Sequence, residues 1–338
     1  MHEIDGSAGG GQMVRSAVSL SALSGEAVRV ENVRGDRSTP GMRPQHVAAV
    51  EAAAALTDAS VEGAEQGAET LVFDPGPVSA TDVSVDVGTA GSIALVFDTV
   101  LPLATALSAP ASVTVTGGTD VEWAPPLAYT RRVKLPVLAA HGLDAVIDVE
   151  RRGFYPAGGG EATLSLSPSS LSPLALTERG PLRRLSVVSV ADDSLAEADV
   201  AERQAAAAVE NIDVGAPASE TVDYDDAACA GSSVTVVGVY EHTRVGFSAL
   251  GEKGTPAETV ATEAAADFQR FHESAAAVDE RLADQLLVYQ ALAGGTVRAP
   301  SATAHVETNR QVIEPFGYEF EFTRLDDTVR IERAAVDD

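Results

Sequence analysis

Sulfur and lysine are what this chain most lacks: one cysteine, Cys229, and two lysines, Lys134 and Lys253, stand against 21 arginines in 338 residues. A lone thiol excludes an internal disulfide and leaves no set of cysteines for a zinc ribbon or finger. Cys229 is therefore expected as a small buried apolar side chain. No run approaches the ~20 apolar residues of a membrane-crossing helix. The N-terminus has neither the basic nor the apolar region of a secretory signal, so a reducing cytoplasm is the expected setting. The Walker phosphate loop and the dinucleotide fingerprint are missing too. The scarcity of lysine has a further meaning, because the net charge is −27. Uniform acidity argues against a polyanionic partner. Few lysines with abundant Asp, Glu and Ala instead read as a halophilic surface. At molar salt the Debye length falls to ~3 Å, and a negative surface then repels a polyanion weakly. Local arginine clusters, rather than net charge, decide the partner.

What is present is periodic. Residues 1–75 read as strand, helix, strand, helix, strand, strand, with Met13, Ala17 and Leu20 at helical spacing and Gly25 as a stop. Residues 82–167 repeat that order, with a helix opening at Pro125-Pro126 and running to His141. Two units of about 80 residues with one element order point to an internal repeat. A third unit is legible only at its end: helix Asp279 to Ala293, strand Thr296 to Arg298, a helix from Glu307 to Ile313 and two closing strands. The intervening stretch to about Ala277 does not fit the repeat and reads as an inserted α/β subdomain.

Three glycine-rich turns precede helices: Gly9-Gly10-Gly11, Gly88 to Ser92, and Gly117-Gly118. Each would offer free N–H groups and a positive helix end to an anion; tight backbone packing is the better explanation of any one of them alone, and three in one chain strengthen the case for phosphate handling. The segment Arg34 to His46 holds Arg34, Arg37 and Arg43 between prolines and glycines, a stiff loop whose guanidinium forks match phosphate geometry. Arg15 is expected to point the same way, and His46 is a candidate acid-base group or a structural histidine. Asp284-Gln285 interrupt an apolar helix, where unpaired polar groups are costly. His305 sits at a strand-to-helix junction, and a neutral imidazole there can serve as nucleophile, acid, base or ligand; alone, it would pass for a surface histidine.

Together these segments resemble the RNA 3′-terminal phosphate cyclase family over nearly the whole chain. The matching stretches are Asp5-Gly6-Ser7 with Gly9 to Arg15, Arg37 to His46, Val61 to Glu65, Thr89 to Ser92, Gly117 to Asp120 with Ala124-Pro125-Pro126, Gly153 to Gly160, Gly246 to Gly254, Ala283 to Leu286, and His305. The resemblance implies an α/β fold of the α+β type: three βαβαββ repeats in residues 1–180 and 278–338, with an inserted α/β domain in 181–277. It implies ATP and a divalent metal (Mg²⁺ or Mn²⁺) as cofactors, and RNA with a 3′-terminal phosphate as substrate. His305 would take AMP from ATP and pass it to the RNA phosphate, and the 2′-hydroxyl would then close a 2′,3′-cyclic phosphate. Asp98, Pro126, Arg281, Leu282, Ala283, Asp284 and Gln285 match the ATP-binding positions, and Arg15, Arg34, Arg37, Arg43 and Gln45 those holding the RNA end. Three residues depart from the pattern: Ala8 replaces a metal-binding Glu, Asp98 a Gln, and Arg281 a Tyr. Other readings are a related non-adenylating factor of ribosomal RNA processing, which lacks the histidine, and an enolpyruvyl transferase of similar repeat architecture.

Overall fold

The structure is a computed structural model and describes residues 1–334. The first unit comprises β1 (His2–Asp5), α1 (Gly11–Ser24), β2 (Val28–Glu31), α2 (Pro44–Thr57), β3 (Ser60–Glu62) and β4 (Leu71–Asp74). Its sheet runs β1-β2-β4-β3, with β1 and β2 parallel and the other pairs antiparallel. Gly25 ends α1 at φ 70°, in the left-handed region that favours glycine, and its N–H reaches Ser21 O. Pro44 opens α2, where its missing N–H costs nothing.

The second unit repeats this with β5 (Asp82–Asp86), α3 (Ile93–Val100), β6 (Ala111–Gly117), α4 (Leu127–Tyr129), α5 (Leu135–Ala139), β7 (Ala145–Arg151) and β8 (Gly160–Leu166), in sheet order β5-β6-β8-β7. The helix expected from Pro125-Pro126 to His141 is divided: a π-helical turn, Thr130–Lys134, joins α4 to α5. Pro136 has no N–H for the preceding turn and its ring crowds the carbonyl four residues back, so the helix widens just before it.

The third unit starts earlier than its sequence showed. β9 (Leu174–Leu176) pairs in parallel with a strand more than a hundred residues later, and the insertion falls between them. That insertion holds β10 (Leu182–Asp192), α6 (Val200–Glu210), β11 (Ala218–Asp225), β12 (Ser232–Tyr240), β13 (Arg244–Gly251) and α7 (Ala257–Glu273), with its own sheet ordered β11-β10-β12-β13. The unit then resumes with α8 (Glu280–Ala293), β14 (Gly295–Ala299), α9 (Ala304–Ile313), β15 (Phe320–Leu325) and β16 (Thr328–Arg333). Its sheet order, β9-β14-β16-β15, is that of the other two units. One apolar cluster joins the three units from Ile4 to Ile331, and a second is built on the insertion from Leu185 to Ala276.

Between them lies a buried polar knot. Asp120, 1% exposed, accepts from Thr119 Oγ1 at 2.7 Å, Ser233 Oγ at 2.6 Å and Arg152 Nη1 at 3.4 Å. Both carboxylate oxygens have donors, one of them a guanidinium, which is what makes so buried a carboxylate tolerable. Beside it Phe154 packs against Val188 and Val190 of the insertion. Cys229 is only partly buried here, its Sγ 3.5 Å from Phe154 O, rather than enclosed as expected.

Candidate active site

The candidate residues lie on or beside six helices, two from each unit, most of them in or just before the first turns; Asp98, in the second half of α3, and Arg34 and Arg37, on the loop before α2, are the exceptions. Arg15 is one turn into α1, Arg43 and Gln45 flank the start of α2, and Asp98 lies in α3. Pro126 directly precedes α4, Arg281 to Gln285 fill the first two turns of α8, and His305 is the second residue of α9. Helix N-termini carry free N–H groups and partial positive charge, so this edge suits anions despite the acidic surface.

Thr303 explains where His305 stands. Its hydroxyl accepts from Val306 N at 3.3 Å and caps α9, so the helix opens at Ala304 instead of Glu307 and His305 falls in its first turn. The His305 side chain is 59% exposed, and its Nδ1 lies 3.8 Å from Asp284 Oδ2. That separation is too long for a hydrogen bond but close enough for electrostatic attraction. Asp284 is fixed in turn: its Oδ1 accepts from Asn309 Nδ2 at 2.7 Å, and Asn309 Oδ1 accepts from Ser16 Oγ at 2.5 Å. Gln12 Nε2 donates to Thr308 Oγ1 at 3.0 Å, tying α1 to α9 a second time. Burial raises the pKa of the Asp284 carboxyl, while His305 and Arg15 pull it back down.

Beneath this pair, Arg15, Asp98, Lys134, Asp284, Gln285 and Tyr289 line a small cavity. Burial lowers the Arg15 pKa, and the Asp98 and Asp284 charges oppose that shift. Asp98 is not free to take a ligand role on its own, because its Oδ1 accepts from Lys134 Nζ at 2.7 Å, with the two side chains 8% and 2% exposed. Gln285 Oε1 and Tyr289 OH are buried without a partner among the described residues. Four residues apart on α8, they face the same side, and such orphaned atoms mark a place where a bound polar group would be satisfied.

The arginine loop is partly self-bound. Arg34 Nη1 donates to Thr39 O at 2.9 Å and to Gly41 O at 3.0 Å, holding the loop folded. Arg37 reaches over Gly10, and Gln45 packs on Gly91 of the second unit. His46 is buried against Gly11, where a Cβ would lie 1.9 Å from its Nε2. Its Nδ1 accepts from Arg43 N at 3.0 Å, which leaves the proton of the neutral ring on Nε2. Burial, then the charges of Arg15, Arg34 and Arg43, push the His46 pKa down to about 3. His46 is thus a neutral structural residue near pH 7, not an acid-base group.

Not all the expected residues meet. Leu282 and Ala283 are fully buried, and their side chains face the core. Pro126 is buried at the mouth of α4. Arg281 is exposed and lines a separate cleft of about 400 Å³ with Phe247, Asp279 and Pro300. Asp279 shapes that cleft by accepting from Tyr129 Oη at 2.8 Å, Leu282 N at 2.9 Å and Gly246 N at 3.1 Å. Pro300 lies on its rim five residues before His305, and Ser301 Oγ donates to Glu280 Oε1 at 2.8 Å, so one short segment links cleft and histidine.

A family model described as RNA 3′-terminal phosphate cyclase matches residues 7–322. A Halobacterium salinarum protein named RNA 3′-terminal phosphate cyclase is 48% identical over 338 residues, covering 97% of this chain and 98% of that protein. Proteins of the same name from Ralstonia nicotianae and Pyrobaculum aerophilum are 42% and 41% identical, each alignment covering 93% of this chain and 91% and 92% of theirs. The chain belongs to the RNA 3′-terminal phosphate cyclase family. Among the described residues, this family member has no three His, Cys, Asp or Glu side chains gathered at metal-binding spacing. Ala8 supplies no ligand, Asp98 is paired with Lys134 and Asp284 with Asn309. These residues do not fit a resident divalent ion. No helix among the described residues is long and apolar enough to cross a membrane.

Lys134, Asn309, Gln12, Ser16 and Tyr289 belong to the site but were not legible as such in the sequence. Some signal was there: Gln12, Arg15, Ser16 and Ser19 recur at helical spacing on a helix otherwise buried and apolar, and Tyr289 is one turn beyond Gln285.

Proposed function

We propose that this chain is an ATP-dependent RNA 3′-terminal phosphate cyclase that works through AMP bound covalently to His305. The observation that carries the reading is the exposed His305 whose Nδ1 faces a buried, fixed Asp284. With Nδ1 turned toward that carboxylate, Nε2 is the outward nitrogen and the nucleophile, and Asp284 orients the ring and steadies its charge. Nε2 attacks the α-phosphorus of ATP; the N–P bond forms as the bond to pyrophosphate breaks, and the ring loses its proton. An oxygen of the RNA 3′-phosphate then attacks the AMP phosphorus and breaks the N–P bond, giving an RNA–adenylate anhydride. The 2′-hydroxyl attacks the terminal RNA phosphorus, expels AMP and closes the five-membered cyclic diester. Activation through AMP supplies the leaving group that a phosphomonoester lacks.

Arg15, Arg37 and Gln45 would meet the RNA phosphate at the edge formed by the first two units, while Arg34 and Arg43 hold that loop in shape and add charge. The cleft carrying Arg281 is large enough for the nucleoside of ATP, with Asp284 and Gln285 between it and His305. The non-adenylating alternative lacks a nucleophilic histidine, so His305 weighs against it. We further propose that the acidic, lysine-poor surface serves a cytoplasm of high salt, and that residues 181–277 act as a separate module. The test is incubation of a 3′-phosphorylated oligoribonucleotide with ATP at high KCl. A phosphatase-resistant 2′,3′-cyclic end formed with one AMP per end supports the reading, and unchanged RNA ends would sink it.

A further inference from the structure

The chain has one tryptophan, and it is not in the core. Trp123 is 89% exposed, the most exposed large apolar side chain among the described residues, and its φ of 60° is rare for a bulky residue. Its loop is nonetheless firmly rooted. Leu127 N donates to Thr119 O at 3.0 Å and closes the loop at its base, and Thr119 N donates to Gly153 O at 2.8 Å. Asp120 is held by the buried polar knot, and Pro125 and Pro126 on the other side are buried. A side chain standing in solvent on so fixed a root loses little entropy when something stacks on it.

Tyr155, 50% exposed, stands on the adjoining loop. Asp120 and Phe154 form a parallel bridge, so Trp123 is three residues and Tyr155 one residue from a shared anchor. At about 3.6 Å per residue their Cα atoms are within about 20 Å of one another. Both loops also touch the phosphate edge. Gly118 N donates to Gly91 O at 2.8 Å, Gly158 packs on Thr89 and Ala90, and Gly91 packs on Gln45. The loops that carry the two exposed rings therefore adjoin, through the Thr89–Gly91 turn, a residue assigned to the RNA end.

The charge on the segments next to these loops is mixed. Arg151 is exposed and its Nε donates to Gly159 O at 2.7 Å; Arg132 is exposed on the π-helical turn, with Arg131 beside Arg152. Glu122 adjoins Trp123, and Asp148 and Asp223 lie near Arg131. Flat rings backed by guanidinium groups are how single-stranded nucleic acid is held without base-specific contacts, since every base has a face to stack.

We propose that Trp123, with Tyr155, is a stacking platform for the bases immediately upstream of the RNA 3′-phosphate. The proposal rests on RNA being the substrate, and its test needs no AMP transfer. Trp123 is the sole tryptophan, so intrinsic fluorescence reads the platform alone. Titration with a 3′-phosphorylated ribotrinucleotide, without ATP, quenches wild-type emission, while a nucleoside 3′-monophosphate does not. By anisotropy of a labelled trinucleotide, Trp123→Ala weakens binding on the order of ten- to a hundredfold and Trp123→Phe restores most of it. The platform is overturned if the trinucleotide fails to bind, binds without quenching, or binds Trp123→Ala as tightly. It is equally overturned if sedimentation finds a dimer that Trp123→Ala dissociates, because the ring would then pack against a second copy. Quenching by RNA with no ATP-dependent labelling of the protein would leave the platform standing and remove the cyclase reading.

Discussion

Lys134→Met should be among the most damaging substitutions away from His305. The Lys134–Asp98 contact is 2.7 Å, both side chains are nearly enclosed, and the ammonium lies 5.6 Å from the centre of the Tyr289 ring. Removing it leaves a buried carboxylate with Arg15 as the remaining nearby cation. Breaking a buried pair costs about 3–5 kcal/mol, and Arg15 argues for the low end, about 3 kcal/mol. With a urea slope of roughly 3 kcal/mol per molar for a chain of this size, the unfolding midpoint should fall by about 1 M. The loss should persist at molar KCl, because salt screens an enclosed pair weakly. Replacing both partners, as in the Lys134→Met/Asp98→Leu double variant, removes the stranded charge and should recover most of the shift. The assay is urea unfolding followed by circular dichroism for wild type, single and double variants. A single-variant midpoint within about 0.2 M of wild type, or a double variant as weak as the single, would refute the assignment.

His46 should make the fold acid-sensitive. Its folded-state pKa of about 3 lies below the ordinary histidine value, so the unfolded chain binds the extra proton first. The stabilisation is complete above about pH 6.5 and is lost progressively as pH falls toward 3, amounting to about 2 kcal/mol between pH 6.5 and 5. His46→Asn, compared with wild type by urea midpoints at pH 7 and 5, should show a correspondingly flatter acid limb; parallel limbs would contradict the neutral-ring assignment. Asp284→Asn keeps an acceptor for Asn309 but removes the charge facing His305. Its single-turnover rate of protein labelling by ATP should fall on the order of a hundredfold, and a loss under about threefold would remove Asp284 as the positioning group.

The repeat was legible because its signals are local: periodic apolar positions, Gly25 after α1, Pro44 before α2. β9 was not, since three residues in a Ser- and Pro-rich stretch become a strand only by pairing with β14 across the whole insertion. β11 escaped for the opposite reason, being a mostly exposed strand beside β10 with no apolar alternation to betray it. The site divides the same way. His305, Asp284, Gln285 and the arginine loop stood out as polar or basic groups in conspicuous places. Lys134 did not, because its meaning depends on Asp98, 36 residues away on another helix. The hints were its place beside Arg131-Arg132, a basic island in an acidic chain, and its rarity as one of only two lysines.

The central claim is that His305 carries AMP. Incubation with ATP labelled at the α-phosphate, at high KCl, should leave acid-labile, alkali-stable label on the protein, on the peptide containing His305. His305→Ala, on an exposed side chain in the first turn of a capped helix, should fold as wild type and take up no label. Wild type that stays unlabelled while binding ATP, or His305→Ala labelled to the same extent, would contradict the account.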